Sequence, residues 1–247
     1  MTVGTSAAQG RGLLTTALMQ VERWLLEPAD GHADVASDPQ PRAAALRRVT
    51  AVFGLAPHCG TTTVARALAI EHARRDPAHA AAVSCEEGSL AIPLATAPAI
   101  RLARTLGRPA EGQVRAVGRL CLLRSTDHLW LVDALAGIAP LVLDAGHSRS
   151  PAAAASLADN VVLVASPQVE PALAAVVAAS LARVGPEPVT VVNRATDAGR
   201  WDGRPVVLLP ASRAEARLAL AGREPRRAFG AAIAGLAELC EQRSRRA

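Results

Sequence analysis

Lysine and tyrosine are both absent from the 247 residues of this chain. All 27 basic residues are therefore arginine, and they exceed the 22 acidic residues to give a net charge of +5. Aromatic residues make up only 2% of the chain, although hydrophobic residues make up 50%. The core must therefore be built mainly from alanine, valine and leucine, and no site in this chain can use a lysine ammonium group.

The four cysteines are also too scattered to form a recognisable site. They stand at Cys59, Cys85, Cys121 and Cys240, with no Cys-x-x-Cys pair, and the histidines show no ligand spacing. This pattern argues against a disulfide framework and against a structural zinc site.

Long apolar runs are absent as well. No run reaches the roughly 18 to 20 residues of a transmembrane helix, and the N-terminal residues lack the apolar core of a signal peptide. We therefore expect a cytoplasmic protein, which a partner could bring to the membrane.

Residues 1–46 are predicted to form an N-terminal extension to a main domain over residues 47–247. After a disordered start, residues 11–26 carry apolar side chains at spacings of three and four, which predicts an amphipathic helix. Proline, glycine and aspartate make residues 27–46 a linker. The helix either docks on the main domain or binds a partner protein or a membrane surface, and the sequence leaves these alternatives open.

Apolar strands alternate with helical segments along the main domain. Strands are predicted at 49–53, 80–84, 113–124, 140–144, 160–167, 188–193 and 205–210, with helices beginning at Thr61 and spanning 91–107, 126–138, 170–184, 212–221 and 225–243. This alternation is typical of an α/β fold, a doubly wound and mainly parallel sheet with helices on both faces.

The segment after the first strand has the character of a phosphate-binding loop. Gly54, Pro57 and Gly60 break the strand before three threonines open a helix. Free backbone N–H groups at a helix N-terminus favour an anion. The predicted phosphate-binding residues are His58, Cys59, Gly60, Thr61, Thr62 and Thr63. The alternative is an ordinary strand–turn–helix unit capped by threonine.

Two residues of this region predict a magnesium site. The Thr62 hydroxyl stands where phosphate loops ligate Mg²⁺. Asp144 ends the apolar strand 140–144, and an aspartate at the carboxyl end of a strand beside such a loop holds Mg²⁺ directly or through water. The alternative for Asp144 is a turn or helix-capping role.

The order of these segments resembles the MinD/ParA-type P-loop ATPases, whose deviant loop has the form K-G-G-x-G-K-[ST]. The resemblance covers roughly residues 48–243 and rests on four stretches: Ala56–Thr62, Pro140–Gly146, Ala158–Pro167 and Thr190–Arg194. It implies ATP or ADP with Mg²⁺ as ligands, and it implies that Asn193 hydrogen-bonds the adenine. Family members position division, partition, pilus or secretion machinery as nucleotide-controlled dimers, which implies a protein partner and a homodimer. Some bind DNA non-specifically through surface arginines, a weaker expectation here.

The departures from the family pattern remove the positive charges and the glycines of the loop. Ala56 and Thr61 replace the two loop lysines, and Pro57 and His58 replace the two glycines. Around Ser84 only Glu86 or Glu87 could replace the family's aspartate after the second strand. Phosphoryl transfer depends almost entirely on positioning and charge stabilisation.

We therefore expect a degenerate site, and a scaffold or regulator that binds nucleotide weakly or not at all. The sequence assigns no catalytic residue. One alternative is an active ATPase in which Arg66 or Arg149 supplies the missing charge. The other is an interaction protein that works without nucleotide through its helix at residues 11–26.

Overall fold

The computed structural model describes residues 49–84, 95–107, 114–124, 128–146 and 151–244. The chain divides into two units, Met1–Ala45 and Leu46–Ala247, and every described residue belongs to the second. The predicted helix 11–26 and linker 27–46 lie outside the described residues.

One sheet runs through the described part of the chain. Its strands are β1 (Val49–Gly54), β2 (Ala81–Ser84), β3 (Val114–Val117), β4 (Leu120–Leu123), β5 (Leu141–Asp144), β6 (Asn160–Ala165), β7 (Val189–Asn193) and β8 (Val206–Leu209). Their spatial order is β3-β4-β2-β5-β1-β6-β7-β8. β3 is antiparallel to β4, and all other neighbours are parallel.

Helices connect these strands. The predicted α/β fold, with a mainly parallel sheet, is confirmed. They are α1 (Thr61–Arg75), α2 (Ala97–Gly107), α3 (His128–Leu135), α4 (Pro151–Ser156), α5 (Pro171–Leu181), α6 (Arg213–Leu220) and α7 (Arg227–Ser244), with a short 3-10 helix at Gly199–Trp201. None of the described helices has the length and apolar composition to cross a bilayer.

Helix α1 follows directly from its composition. Alanine is frequent, proline is absent from residues 61–75, and His72, Arg74 and Arg75 place basic groups in the last turn, where the helix dipole favours them. The helix stops at Asp76, immediately before Pro77, as the restriction on pre-proline residues requires.

The two faces of the sheet carry different helices. On one face α1 contacts α6 and α7 as well as β2 and β5, while α3, α4 and α5 contact β5, β1 and β6 respectively. Right-handed crossovers place this second group on the opposite face. β1 lies between the two groups in the middle of the sheet, and all six of its residues are buried.

The predicted elements differ from the structure at three places. Residues 113–124 are not one strand, because the chain reverses at Gly118, which has a left-handed φ of 55°, between β3 and β4. Helix α4 was not predicted, although a proline at its first position and four alanines favour a helix there. The predicted helix 126–138 is also too long, since α3 ends at Leu135.

Strand β8 closes the sheet at one edge. It is a four-residue apolar strand, Val-Val-Leu-Leu, between Pro205 and Pro210. Among the described strands it pairs with β7 alone, so no described strand lies on its other side.

Candidate functional site

The loop between β1 and α1 lies at the carboxyl edge of the sheet. It begins as Leu55 donates its N–H to the carbonyl of Val164, at 2.9 Å, and it turns as Cys59 donates to the carbonyl of Ala56, at 3.3 Å. It ends at Gly60, which has a left-handed φ of 93° and is the N-cap of α1. A residue with a Cβ is strained in that conformation.

The N-terminus of α1 offers backbone donors to an anion. Gly60 has no side chain to cap the helix, and the first N–H groups of a helix have no intrahelical acceptor. Thr62 and Thr63 in this first turn are partly exposed, and His58 in the loop is exposed. The arrangement fits a phosphate group by hydrogen bonding and helix dipole alone.

The side chain of Thr61 is enclosed by the loop and two strand ends. Its Oγ1 lies 3.2 Å from the Sγ of Cys59, and Thr61 is 9% exposed and Cys59 1% exposed. A Cβ built on Gly54 would lie 2.3 Å from the same Oγ1, and one built on Gly146 would lie 3.1 Å from the Thr61 Cβ. A short neutral side chain therefore fills this space at the start of α1.

Asn193 reaches the same loop from the end of β7. Its Nδ2 donates a 2.8 Å hydrogen bond to the carbonyl of Cys59, and the residue is 4% exposed. A Cβ on Gly60 would lie only 2.2 Å from Nδ2. One amide hydrogen of Asn193 is thus used by the loop, and the predicted contact with adenine stays a prediction.

Asp144 stands at the carboxyl end of β5, on the strand next to β1. It pairs with Val52 in the parallel register, and the following Ala145 donates its N–H to the Val52 carbonyl at 2.9 Å. This register brings Asp144 to the edge where the loop begins. Mg²⁺ usually binds one or two carboxylates together with waters and substrate phosphates, so the donor set of Asp144 and Thr62 fits that ion.

Of the two arginines expected to supply charge to the loop, Arg66 makes its described hydrogen bond elsewhere. Arg66 is buried, and its Nη1 donates a 2.8 Å hydrogen bond to the carbonyl of Leu220, the last residue of α6. It therefore joins two helices. Arg149 lies outside the described residues, and so do Cys85, Glu86 and Glu87 after Ser84.

Three features of the site were not predicted. The glycines that confine Thr61, Gly54 and Gly146, appeared in the sequence only as strand-end residues. Arg194 was not considered, although it follows Asn193 directly, is exposed and has a φ of 63°. The sequence offered one signal for Gly54 and Gly146: each is a glycine at or just after the carboxyl end of one of two adjacent parallel strands. Glycine at such a place often marks a close approach of the backbone to a neighbour.

Comparison with known proteins supports the fold. No protein-family model matches the chain, and no curated protein matches it. Among solved structures, the ParA family ATPase from Chlorobium tepidum TLS superposes with a TM-score of 0.54 at 14% identity, over 78% of this chain and 99% of that one. The septum site-determining protein MinD from Pyrococcus horikoshii OT3, complexed with Mg-ADP, gives a TM-score of 0.55 at 16% identity, over 78% and 95%. The chain therefore has the MinD/ParA-like fold that the sequence indicated.

Proposed function

We propose that this protein is a MinD/ParA-like scaffold or regulator that binds ATP or ADP with Mg²⁺ weakly and hydrolyses ATP very slowly or not at all. Nucleotide would bind at the loop between β1 and α1, and the protein would act through a protein partner, as a homodimer, in positioning, division, partition or secretion machinery. The solved structure of the Pyrococcus MinD contains Mg-ADP, which makes Mg-ADP the first ligand to test.

One observation carries this proposal: Thr61 is enclosed between Gly54 and Gly146 and contacts Cys59. The hydroxyl can donate one hydrogen bond, but it supplies no positive charge to a phosphoryl group. Removing one charge-stabilising contact typically lowers the rate by about 10²–10³. Since Ala56 also lacks a charge, both lysine positions of the family loop are neutral.

The remaining donors support binding more than turnover. The backbone N–H groups of Thr61, Thr62 and Thr63 favour phosphate oxygens. Asp144 and the Thr62 hydroxyl would hold Mg²⁺, which neutralises part of the phosphate charge when it is bound. These groups would bind and orient a nucleotide, while the neutral Ala56 and Thr61 leave the loop without a cation at those two positions.

Binding is tested by thermal unfolding with millimolar Mg-ADP and Mg-ATP. A ligand that binds only the folded state raises the melting temperature by mass action, so we expect an increase with both nucleotides that disappears without Mg²⁺. No increase at millimolar nucleotide would overturn the binding part of the proposal and leave only the fold.

Turnover is tested by phosphate release from saturating Mg-ATP, with Thr61→Lys beside the wild type. A charge-assisted hydrogen bond should strengthen ATP binding by about tenfold or more, yet Thr61→Lys should recover little turnover while Ala56 is unchanged. Thr61→Gln, which is long but neutral, is the matched control for size and should not strengthen binding. Wild-type turnover at the rate of ordinary family members would overturn the proposal of a degenerate site.

A further inference from the structure

We infer that Asn193 is a positioning residue that fixes the peptide between Cys59 and Gly60, and through it the geometry of the phosphate loop. This inference rests on the proposed nucleotide site for its functional meaning. The contact itself, however, can be measured without any nucleotide.

The sheet holds Asn193 firmly in place. Asn193 is the last residue of β7 and pairs with Leu209 of β8 in the parallel register. The next turn is also tied to the sheet, because Ala195 donates its N–H to the Leu209 carbonyl at 3.0 Å. The amide group of Asn193 therefore extends from a strand end with little freedom to move.

On the loop side, the same amide touches two consecutive residues. Nδ2 donates to the Cys59 carbonyl at 2.8 Å, and it lies where a Cβ on Gly60 would be only 2.2 Å away. A trans peptide is planar, with its carbonyl and its N–H directed to opposite sides. Holding the Cys59 carbonyl at Asn193 therefore directs the Gly60 N–H away from Asn193.

This orientation decides which loop donors an anion meets. The Gly60 N–H precedes the uncapped N–H groups of Thr61 and Thr62 at the start of α1, and consecutive N–H groups of this kind form an anion-binding concavity. With the peptide released, the Gly60 N–H would lose its fixed direction. Asn193 thus acts on phosphate binding through the backbone, whichever base the nucleotide carries.

Asn193→Asp is the sharpest variant, because it keeps the shape and replaces the donor with an oxygen. That oxygen would face the Cys59 carbonyl across the present 2.8 Å contact, and the two acceptors would repel. Displacement of the peptide would carry Cys59 with it, and this thiol is now only 1% exposed. Labelling of Cys59 by a thiol reagent therefore reports on the contact.

The matched control is Asn160→Asp. Asn160 is also a buried strand residue with one side-chain donor bond, from its Nδ2 to the Oγ of Ser244 at 2.7 Å. It begins β6, however, at the edge of the sheet away from the loop. Cys121 and Cys240 are internal controls, since burial raises the pKa of each thiol to about 12 and keeps it unreactive.

Labelling rates are measured on the full chain by peptide mass spectrometry, which also separates Cys59 from Cys85. Asn193→Asp should raise the Cys59 rate by about tenfold or more while Cys121 and Cys240 stay protected. Asn160→Asp should leave the Cys59 rate unchanged. An unchanged Cys59 rate in Asn193→Asp overturns the inference. If all three thiols become reactive in Asn193→Asp, the labelling is repeated on Asn193→Ala. Selective labelling of Cys59 in that variant supports the inference, and a Cys59 rate equal to that of the wild type overturns it.

The ligand experiment compares Mg-ATP with Mg-tripolyphosphate by calorimetry. The variant used here is Asn193→Ala, because the added charge of an aspartate would itself repel both phosphate ligands. A positioning role predicts that Asn193→Ala weakens both ligands by a similar factor. Weakening of ATP alone would assign Asn193 to adenine recognition and overturn the positioning role in binding. If neither ligand binds the wild type, the proposed nucleotide function fails, and the labelling result still decides whether Asn193 holds the loop.

Discussion

The helices on the two faces of the sheet are fixed by different kinds of contact. The first layer, α1, α6 and α7, carries eleven arginine and acidic residues, whereas the second layer, α3, α4 and α5, carries one, Asp133. Both layers cover the same central strands. The difference in charged residues therefore belongs to the helices and not to the strands that they cover.

Charged side chains in the first layer reach backbone groups of neighbouring helices. Arg66 binds the Leu220 carbonyl, and Arg75 binds the Ala234 carbonyl at 2.9 Å. The Glu215 carboxylate accepts the N–H of Arg226 between α6 and α7. These bonds fix α6 and α7 against α1, the helix that begins at the phosphate loop. In α4 and α5, by contrast, the buried residues are all apolar.

The largest effect is expected at Gly222, where the first layer meets the turn between β3 and β4. A Cβ there would lie 2.1 Å from the Val117 carbonyl oxygen, and φ is 67°. Gly222→Ala should therefore destabilise the protein by about 3 kcal/mol in urea unfolding, from backbone strain and overpacking together. Gly203→Ala is the control for strain alone, since φ is 71° with nothing within 4 Å. Equal losses in the two variants would contradict a close contact at Gly222.

The next effect concerns Arg66. Arg66→Met keeps much of the buried aliphatic volume but leaves the Leu220 carbonyl without its donor, which should lower the free energy of unfolding by about 1–3 kcal/mol. The second-layer control is Arg183→Met, an exposed arginine after α5, with an expected change within about 0.5 kcal/mol. Similar changes in the two variants would remove the distinction between the layers.

Two adjacent valines in α5 test the second layer. Val177 is 3% exposed and Val176 is 50% exposed. Val177→Thr places a hydroxyl in an apolar contact and should be destabilising by about 1–2 kcal/mol. Val176→Thr should change stability by no more than about 0.5 kcal/mol. A larger loss at Val176, measured by the same urea unfolding, would mean that this exposed position is packed in solution.

The smallest effect is that of Glu71 in the first layer. Burial opposes its ionisation, but hydrogen bonds from Arg74 and Arg75 outweigh burial, and the pKa of Glu71 lies below its usual value of 4.5. A lowered folded-state pKa stabilises the fold above the unfolded pKa, and this stabilisation is lost as pH falls through the folded value.

Glu71→Gln should therefore be less stable than the wild type near neutral pH, by less than about 1 kcal/mol because the arginines are partly exposed. The two unfolding curves should converge as the pH drops below 4.5. A difference that stays constant down to acid pH would show that the carboxylate charge contributes nothing.

The sequence predicted those parts of the fold that depend on local pattern. The strand before Gly54, the helix opened by three threonines and the aspartate at the end of β5 all follow from apolar runs and their breakers. The reversal at Gly118 was missed because apolar residues continue on both sides of it, and a single glycine in a strand pattern does not distinguish a bulge from a turn.

The site was less predictable, because its contacts join residues far apart in sequence. Position in the loop was enough to predict that Thr61 replaces a lysine, but the enclosure of Thr61 by Gly54 and Gly146 depends on how two strand ends approach. The bond from Asn193 to Cys59 spans 134 residues, and only the order β1-β6-β7 in the sheet brings them together. Arg66 was wrong as a source of charge for the loop, since sequence cannot tell which neighbour a buried arginine meets.

Strand β8 has a consequence for behaviour at high concentration. An unpaired apolar edge is a template on which further chains can add strands, and this is how aggregation begins. Pro205 and Pro210 on either side of Val206–Leu209 lack an N–H and cannot extend a ladder. The exposed edge is therefore only four residues long, too short for the six- or seven-residue segments typical of amyloid. The two prolines thus limit how far another chain could pair along this edge.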